Sequence, residues 1–149
     1  MLTARDIMNR EVITVTDEST VKELAQILSL HQISGVPVIN NNGKMIGVVT
    51  ESDLIFQTKK VHIPTVITIL DSVFYLESPE KMGDEMKKMA GIKVKDILTS
   101  APITVTETTQ LDEIATIMAE KNVHTLPVMN GDTLVGIIGK KDIIRTLID

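Results

Sequence analysis

The fold is decided by a stretch that occurs twice. It reads RDIMNREVITVTDESTVKELAQILSLHQISGVPVIN at residues 5–40 and KDILTSAPITVTETTQLDEIATIMAEKNVHTLPVMN at residues 95–130. The similarity continues after these stretches. The segment NNNGKMIGVVTESDLI aligns with NGDTLVGIIGKKDII when one residue is dropped, and this alignment matches Asp53 with Asp142. A repeated unit determines an architecture before any local assignment is made, and two copies of one small unit are therefore predicted.

Each copy predicts the order strand, helix, strand, hairpin, strand and helix. The ITVT run is short and β-branched, as strands are, and the apolar residues after it recur at helical spacing. The turns NNNGK and NGD carry the Asn and Gly residues that accept positive φ. Pro37 and Pro127 are expected near a strand start or edge, since proline donates no ladder hydrogen bond. This order indicates an α/β (α+β) unit whose sheet has one face in need of a partner, and two copies can cover each other.

The two copies are separated by an insertion that is too long for a simple linker. Its sequence predicts helix on both sides of Pro79. The predicted organisation is a first unit at residues 1–55, a helical insertion at 56–93 and a second unit at 94–149.

Composition excludes several classes of function. The 149 residues carry a net charge of −5 and no cysteine. Without a Lys/Arg stripe, neither nucleic acid nor an anionic membrane is expected as a partner. The N-terminus lacks the apolar core of a signal peptide, and the apolar window from Val61 to Leu76 is too short and interrupted to span a bilayer. A cytoplasmic location is expected.

No enzyme motif is found. The chain has no H-E-x-x-H and no phosphate-binding G-x-x-x-x-G-K-[ST] loop, and His31, His62 and His124 do not have ligand spacing. No catalytic residue, metal site or catalytic cofactor is therefore predicted.

The ordered motifs resemble the cystathionine-β-synthase (CBS) domain in its tandem, or Bateman, arrangement. They are DIM at residues 6–8, the ITVT strand, GVPVI at 35–39 and GVVTESD at 47–53, and the second copy carries most of them. The resemblance implies two CBS units packed sheet to sheet, with two clefts related by pseudo-two-fold symmetry. It also implies a regulatory, energy-sensing module that binds AMP, ADP, ATP or S-adenosylmethionine.

Asp53 carries the expected chemistry of the main cleft. A carboxylate accepts two hydrogen bonds from a ribose diol, and the Thr50 hydroxyl is suited to sugar or phosphate. A helix cap formed by Thr50 or Ser52 is the plainer interpretation of GVVTESD, and cap and site can coexist. The resemblance assigns eight residues to this cleft: Val48, Thr50, Ser52, Asp53, Ile103, Thr104, His124 and Pro127.

The resemblance assigns a second set of residues to the opposite cleft: Ile13, Thr14, Ser34, Pro37, Ile137, Lys141 and Asp142. Gly139 stands there in place of the hydroxyl residue, and Ser34 in place of His124. Weaker or different selectivity is expected, with Lys140 or Lys141 available to phosphate.

The alternative is a CBS pair that serves as a dimerisation or interaction platform without binding nucleotide. A homodimer is expected in either case, because paired CBS modules associate through their helices and the insertion adds apolar surface at Val73, Phe74 and Tyr75. A regulated effector protein, not identified by the sequence, would receive the signal.

Overall fold

The computed structural model describes residues 1–61 and 92–148. Most of the predicted helical insertion, including Val73, Phe74 and Tyr75, lies outside the described residues. The first unit consists of α1 (Ala4–Ile7), β1 (Val15–Thr16), α2 (Val21–His31), β2 (Gly35–Ile39), β3 (Met45–Thr50) and α3 (Glu51–Val61). The second consists of a 3-10 turn (Val94–Asp96), β4 (Val105–Thr106), α4 (Leu111–Lys121), β5 (Thr125–Asn130), β6 (Thr133–Gly139) and α5 (Lys140–Thr146).

Each unit contains a three-stranded sheet in the order first, second, third strand. The first strand of each sheet runs parallel to the middle strand, and the third runs antiparallel to it. The predicted fold class and order of elements are confirmed. One helix of each unit, α2 or α4, buries an apolar stripe that includes Leu24 in the first core and Ile114 in the second.

Pro37 lies within the middle strand rather than at a sheet edge. Its partner across the ladder is Val48, whose N–H and C=O both bond to Thr99, at 3.0 and 2.9 Å. The pair is therefore of the type without cross-strand hydrogen bonds. On the other side of β2, β1 begins opposite Val38. No ladder hydrogen bond therefore requires an N–H at Pro37. Pro127, which lies opposite Ile137, repeats this arrangement in the second unit.

The segments that precede the two sheets are exchanged between the units. Ala4 and Met8 are buried in the core of the second unit, whereas Val94 is buried in the core of the first. Backbone bonds hold the exchanged segments: Asn9 pairs with Ile137 at 2.9 and 3.0 Å. Each packed core therefore includes a short segment from the other copy of the repeat.

An ion-pair cluster fastens the second exchanged segment to the first unit. Lys93 Nζ lies 2.6 Å from one carboxylate oxygen of Glu18, and Lys95 Nζ lies 3.0 Å from the other. Hydrogen bonds from the two ammonium groups lower the pKa of Glu18, and the bond from Lys93 has the larger effect. The hydrogen bond to Glu18 raises the pKa of Lys95. All three side chains are substantially exposed, so the cluster orients the segment more than it stabilises the fold.

The two units also meet at the starts of the middle strands. Ser34 Oγ lies 3.1 Å from Thr125 Oγ1. A Cβ atom at Gly35 would lie only 2.7 Å from the same hydroxyl, so glycine permits the approach. A cleft opens on each side of this contact.

Candidate functional site

The first cleft lies where β3 passes into α3, facing the segment that leads into β4. Its cavity volume is about 380 Å³, within the range of about 300–1,000 Å³ usual for small-molecule sites. Both units contribute to its lining, which consists of Ser34, Val48, Thr50, Glu51, Ser52, Asp53, Thr99, Ala101, Pro102, Ile103, Asn122, Val123, His124 and Thr125. A ligand here would contact both units at once.

Thr50 and Asp53 form a reciprocal cap at the start of α3. Asp53 Oδ2 accepts hydrogen bonds from the Thr50 backbone N–H at 2.8 Å and from the Thr50 hydroxyl at 3.1 Å. The Asp53 N–H in turn donates to Thr50 Oγ1 at 3.4 Å. The capping interpretation is therefore confirmed. The second carboxylate oxygen, Oδ1, has no hydrogen-bond partner among the described residues and remains available to a ligand in the cleft.

Six of the eight residues assigned to the main cleft line it: Val48, Thr50, Ser52, Asp53, Ile103 and His124. Thr104 is exposed but lies outside the lining, and Pro127 is fully buried within β5. The sequence interpretation missed Thr99, which reaches the cleft because its backbone pairs with Val48. The available signal was the position of Thr99 immediately after the repeated D-I-L/M motif.

The second cleft lies where β6 passes into α5, and its volume is about 690 Å³. Five of the seven residues assigned to it line the cavity: Ile13, Ser34, Ile137, Lys141 and Asp142. Thr14 does not, and Pro37 is fully buried within β2. Sequence analysis missed the ionisable residues Glu11, His31, Glu51 and Arg145, of which Arg145 follows Asp142 by one helical turn.

The carboxylate of the second cleft is more fully engaged than Asp53. Asp142 Oδ2 accepts a hydrogen bond from the Gly139 N–H at 2.7 Å, and its Oδ1 lies 3.5 Å from Arg145 Nη1. Lys141 Nζ donates to the backbone carbonyl of Gln32 at 2.8 Å and so joins α5 to the end of α2 in the other unit. The two clefts are related by the repeat but are chemically different.

Within residues 1–61 and 92–148, no cluster of three or more His, Cys, Asp or Glu side chains could hold a metal ion. In the same part of the chain, no helix combines the length and apolarity needed to cross a membrane.

Comparison with known proteins identifies the family. The CBS domain pattern matches residues 4–59 and again 94–149, so the chain belongs to the CBS-domain family. An uncharacterized protein of Methanocaldococcus jannaschii is 29% identical over 153 residues, covering 97% of this chain and 90% of the relative. The resemblance deduced from the motifs is confirmed.

Two solved CBS pairs share the fold along nearly the whole chain. The structure of CBSX2 in complex with AMP has a TM-score of 0.72 at 22% identity and covers 99% of this chain and 97% of that one. The CBS domain pair of protein MJ0100, in complex with 5-methylthioadenosine and S-adenosyl-L-methionine, has a TM-score of 0.69 at 23% identity. It covers 99% of this chain and 96% of that one.

Proposed function

We propose that this protein is a regulatory module that binds an adenosine compound, such as AMP, ADP, ATP or S-adenosylmethionine, mainly in the first cleft. The observation that carries the proposal is Asp53 Oδ1, which has no hydrogen-bond partner in the described part of the chain and lies at a cavity lined by both units. The AMP complex of CBSX2 and the adenosine-ligand complex of the MJ0100 pair support this choice of ligand class.

The walls of the first cleft suit the parts of a nucleoside. Asp53 Oδ1 is an acceptor for a ribose diol, and the Thr50 side chain lies beside it. Val48 and Ile103 supply apolar surface for the adenine ring, and Ile103 is 39% exposed with no ligand present. Burying such surface against a flat base contributes favourably to binding.

The second cleft is proposed as an additional site of different selectivity, in which Asp142 meets the ribose and Lys140 or Lys141 meets phosphate. We infer no catalysis at either cleft. We propose a cytoplasmic location, which suits a module that responds to adenosine compounds inside the cell. Ligand binding would alter the packing of the two units and be read by an effector protein, provided that the ligand prefers one arrangement over the other.

Binding can be tested by thermal unfolding and calorimetry with the adenosine compounds. A ligand at 100 times its Kd is expected to stabilise the wild-type protein by about 2.7 kcal/mol. Asp53→Ala should weaken binding to the first cleft by about ten- to a hundredfold, since a ligand diol loses a charged acceptor. An unchanged affinity would refute the assignment of this carboxylate.

Asp142→Ala is the matched control. It removes the equivalent cap in the other unit and should leave the affinity of the first cleft unchanged. Asp53→Asn keeps an oxygen that can cap α3 and so separates loss of the cap from loss of the charge. If no adenosine compound binds the wild-type protein, the alternative of a CBS platform without nucleotide is preferred.

We also propose a homodimer formed through the last helices of the units. Their exposed apolar residues are Ile55 and Phe56 in α3, Ile144 in α5, and Leu147 and Ile148 directly after it. Exposed apolar residues grouped on two elements are typical of an interaction surface. Sedimentation is expected to show a dimer at micromolar concentration, and Phe56→Glu with Ile144→Glu should yield monomers. A wild-type monomer would contradict this proposal.

A further inference from the structure

The repeat places residues of different charge at equivalent positions of the two clefts. The third strand of each unit leads directly into a helix, and the residues on that helix differ systematically. The three equivalent pairs are Glu51 with Lys140, Ser52 with Lys141, and Phe56 with Arg145. One acidic and two neutral residues of the first unit are thus replaced by bases in the second, and all three bases line the second cleft.

The described lining of the first cleft contains few groups that could bind an anion. Among the described residues that line it, the carboxylates are Glu51 and Asp53, no lysine or arginine is present, and His124 is the one side chain able to carry positive charge. A phosphate bound here would lie in the field of two carboxylates. Like charges repel more strongly in a cleft than in free water, because the effective dielectric constant near protein is lower.

The second cleft is balanced and adaptable. Its described lining contains three carboxylates, Glu11, Glu51 and Asp142, together with three bases, Lys140, Lys141 and Arg145, and the imidazole of His31. Two of the basic groups have partners that a phosphate can replace: Lys141 donates to the Gln32 carbonyl, and Arg145 lies beside Asp142. The Arg145 side chain is 68% exposed and lies 3.5 Å from the Asp142 carboxylate.

Phosphate binding would also free the groups that hold the nucleoside. A guanidinium binds phosphate through two parallel hydrogen bonds, which its single long contact with Asp142 does not provide. Moving Arg145 to phosphate releases Asp142 Oδ1 for the ribose diol. The larger volume, about 690 Å³ against about 380 Å³, leaves room for a phosphate chain beyond the nucleoside.

Building on the proposed function, and refining which of its ligands each cleft prefers, we propose that the two clefts sort adenosine compounds by the charge of the 5′ group. The first cleft takes adenosine, or a derivative whose 5′ group is uncharged or cationic. The second takes phosphorylated adenosine. One chain therefore reports on two chemical classes of ligand at once.

Calorimetry with adenosine, AMP and ATP, at constant ionic strength and without divalent cations, tests this sorting. A two-site fit separates the clefts, because Asp142→Ala weakens binding to the second cleft and Asp53→Ala weakens binding to the first. From adenosine to AMP, the affinity of the first cleft should fall by about tenfold and that of the second should rise by about tenfold. ATP should bind the second cleft at least as tightly as AMP.

A charge swap provides the matched control. In the Asp53→Ala protein, Lys140→Glu with Lys141→Ser copies the first cleft's pair of residues into the second cleft, and the preference for AMP over adenosine should disappear. Lys140→Glu alone leaves the bond from Lys141 to Gln32 intact and should shift the preference in the same direction. Unchanged melting temperatures without ligand would show that each variant is folded.

The outcomes separate this inference from the proposed function. If none of the three compounds binds the wild-type protein, the proposed function fails and the sorting fails with it. If they bind but AMP exceeds adenosine in the first cleft, or gains nothing over adenosine in the second, only the sorting is overturned.

Discussion

Met8→Ala is expected to lower the free energy of unfolding by about 2–5 kcal/mol, as truncation of a core methionine does. Met8 precedes the first strand of the first unit, yet it is 9% exposed and packs in the core of the second. Chemical denaturation of the full chain measures the loss. A loss below about 0.5 kcal/mol, as is usual at a surface position, would contradict the exchange of segments.

A double-mutant cycle shows where Met8 packs. A Cβ atom added at Gly136 would lie 2.5 Å from Met8 Sδ and 2.8 Å from Met8 Cγ. The shorter side chain of Met8→Ala removes both atoms, so Gly136→Ala should be better tolerated in the Met8→Ala protein than in the wild type. Residues in contact typically couple by about 0.5–3 kcal/mol, whereas strict additivity would place Met8 elsewhere.

Gly47→Ala is expected to destabilise the protein by about 1–3 kcal/mol more than the equivalent Gly136→Ala. A Cβ atom at Gly47 would overlap the backbone carbonyl oxygen of Thr99 and lie 2.7 Å from Leu98 Cδ1. The flexible Met8 side chain can move away from Gly136, but the Thr99 backbone is held to Val48 by two hydrogen bonds. Denaturant unfolding of the two variants measures the difference.

Leu98→Ala serves as the control for this asymmetry. It removes the side-chain contact at Gly47 but leaves the Thr99 carbonyl in place, so it should not rescue Gly47→Ala. Equal losses for the two glycine variants, or full rescue by Leu98→Ala, would show that the backbone of the exchanged segment moves freely.

The main lines of the fold were readable in the sequence because they depend on local properties. The apolar stripe containing Leu24 recurs in the second copy at Ile114, and both residues are fully buried. Thr50 and Asp53 lie three residues apart at a helix start, so their mutual hydrogen bonds depend mainly on the local backbone conformation. The placement of Ser52 and His124 at the cleft followed from the family resemblance, and their roles as ligand contacts stay predictions.

The residues missed in the clefts depend on contacts between distant parts of the chain. Thr99 lines the first cleft because the segment containing it pairs with Val48 in the other unit. Pro37 and Pro127 belong to a conspicuous motif, but they are fully buried, because the first four residues of each middle strand are buried on both faces of the strand. Sequence alone does not state which face borders a cavity.

The sequence by itself determined two repeated units, their order of strands and helices, and the charge that each copy carries at the start of its last helix. These follow from the spacing of apolar residues and from the identity of individual side chains. Only the tertiary structure decided that α1 packs in the second core and that the clefts differ in volume. It also decided that Asp142 faces Arg145, whereas Asp53 Oδ1 has no partner among residues 1–61 and 92–148. Such features depend on which long-range contacts form together, and spacing along one chain does not specify them.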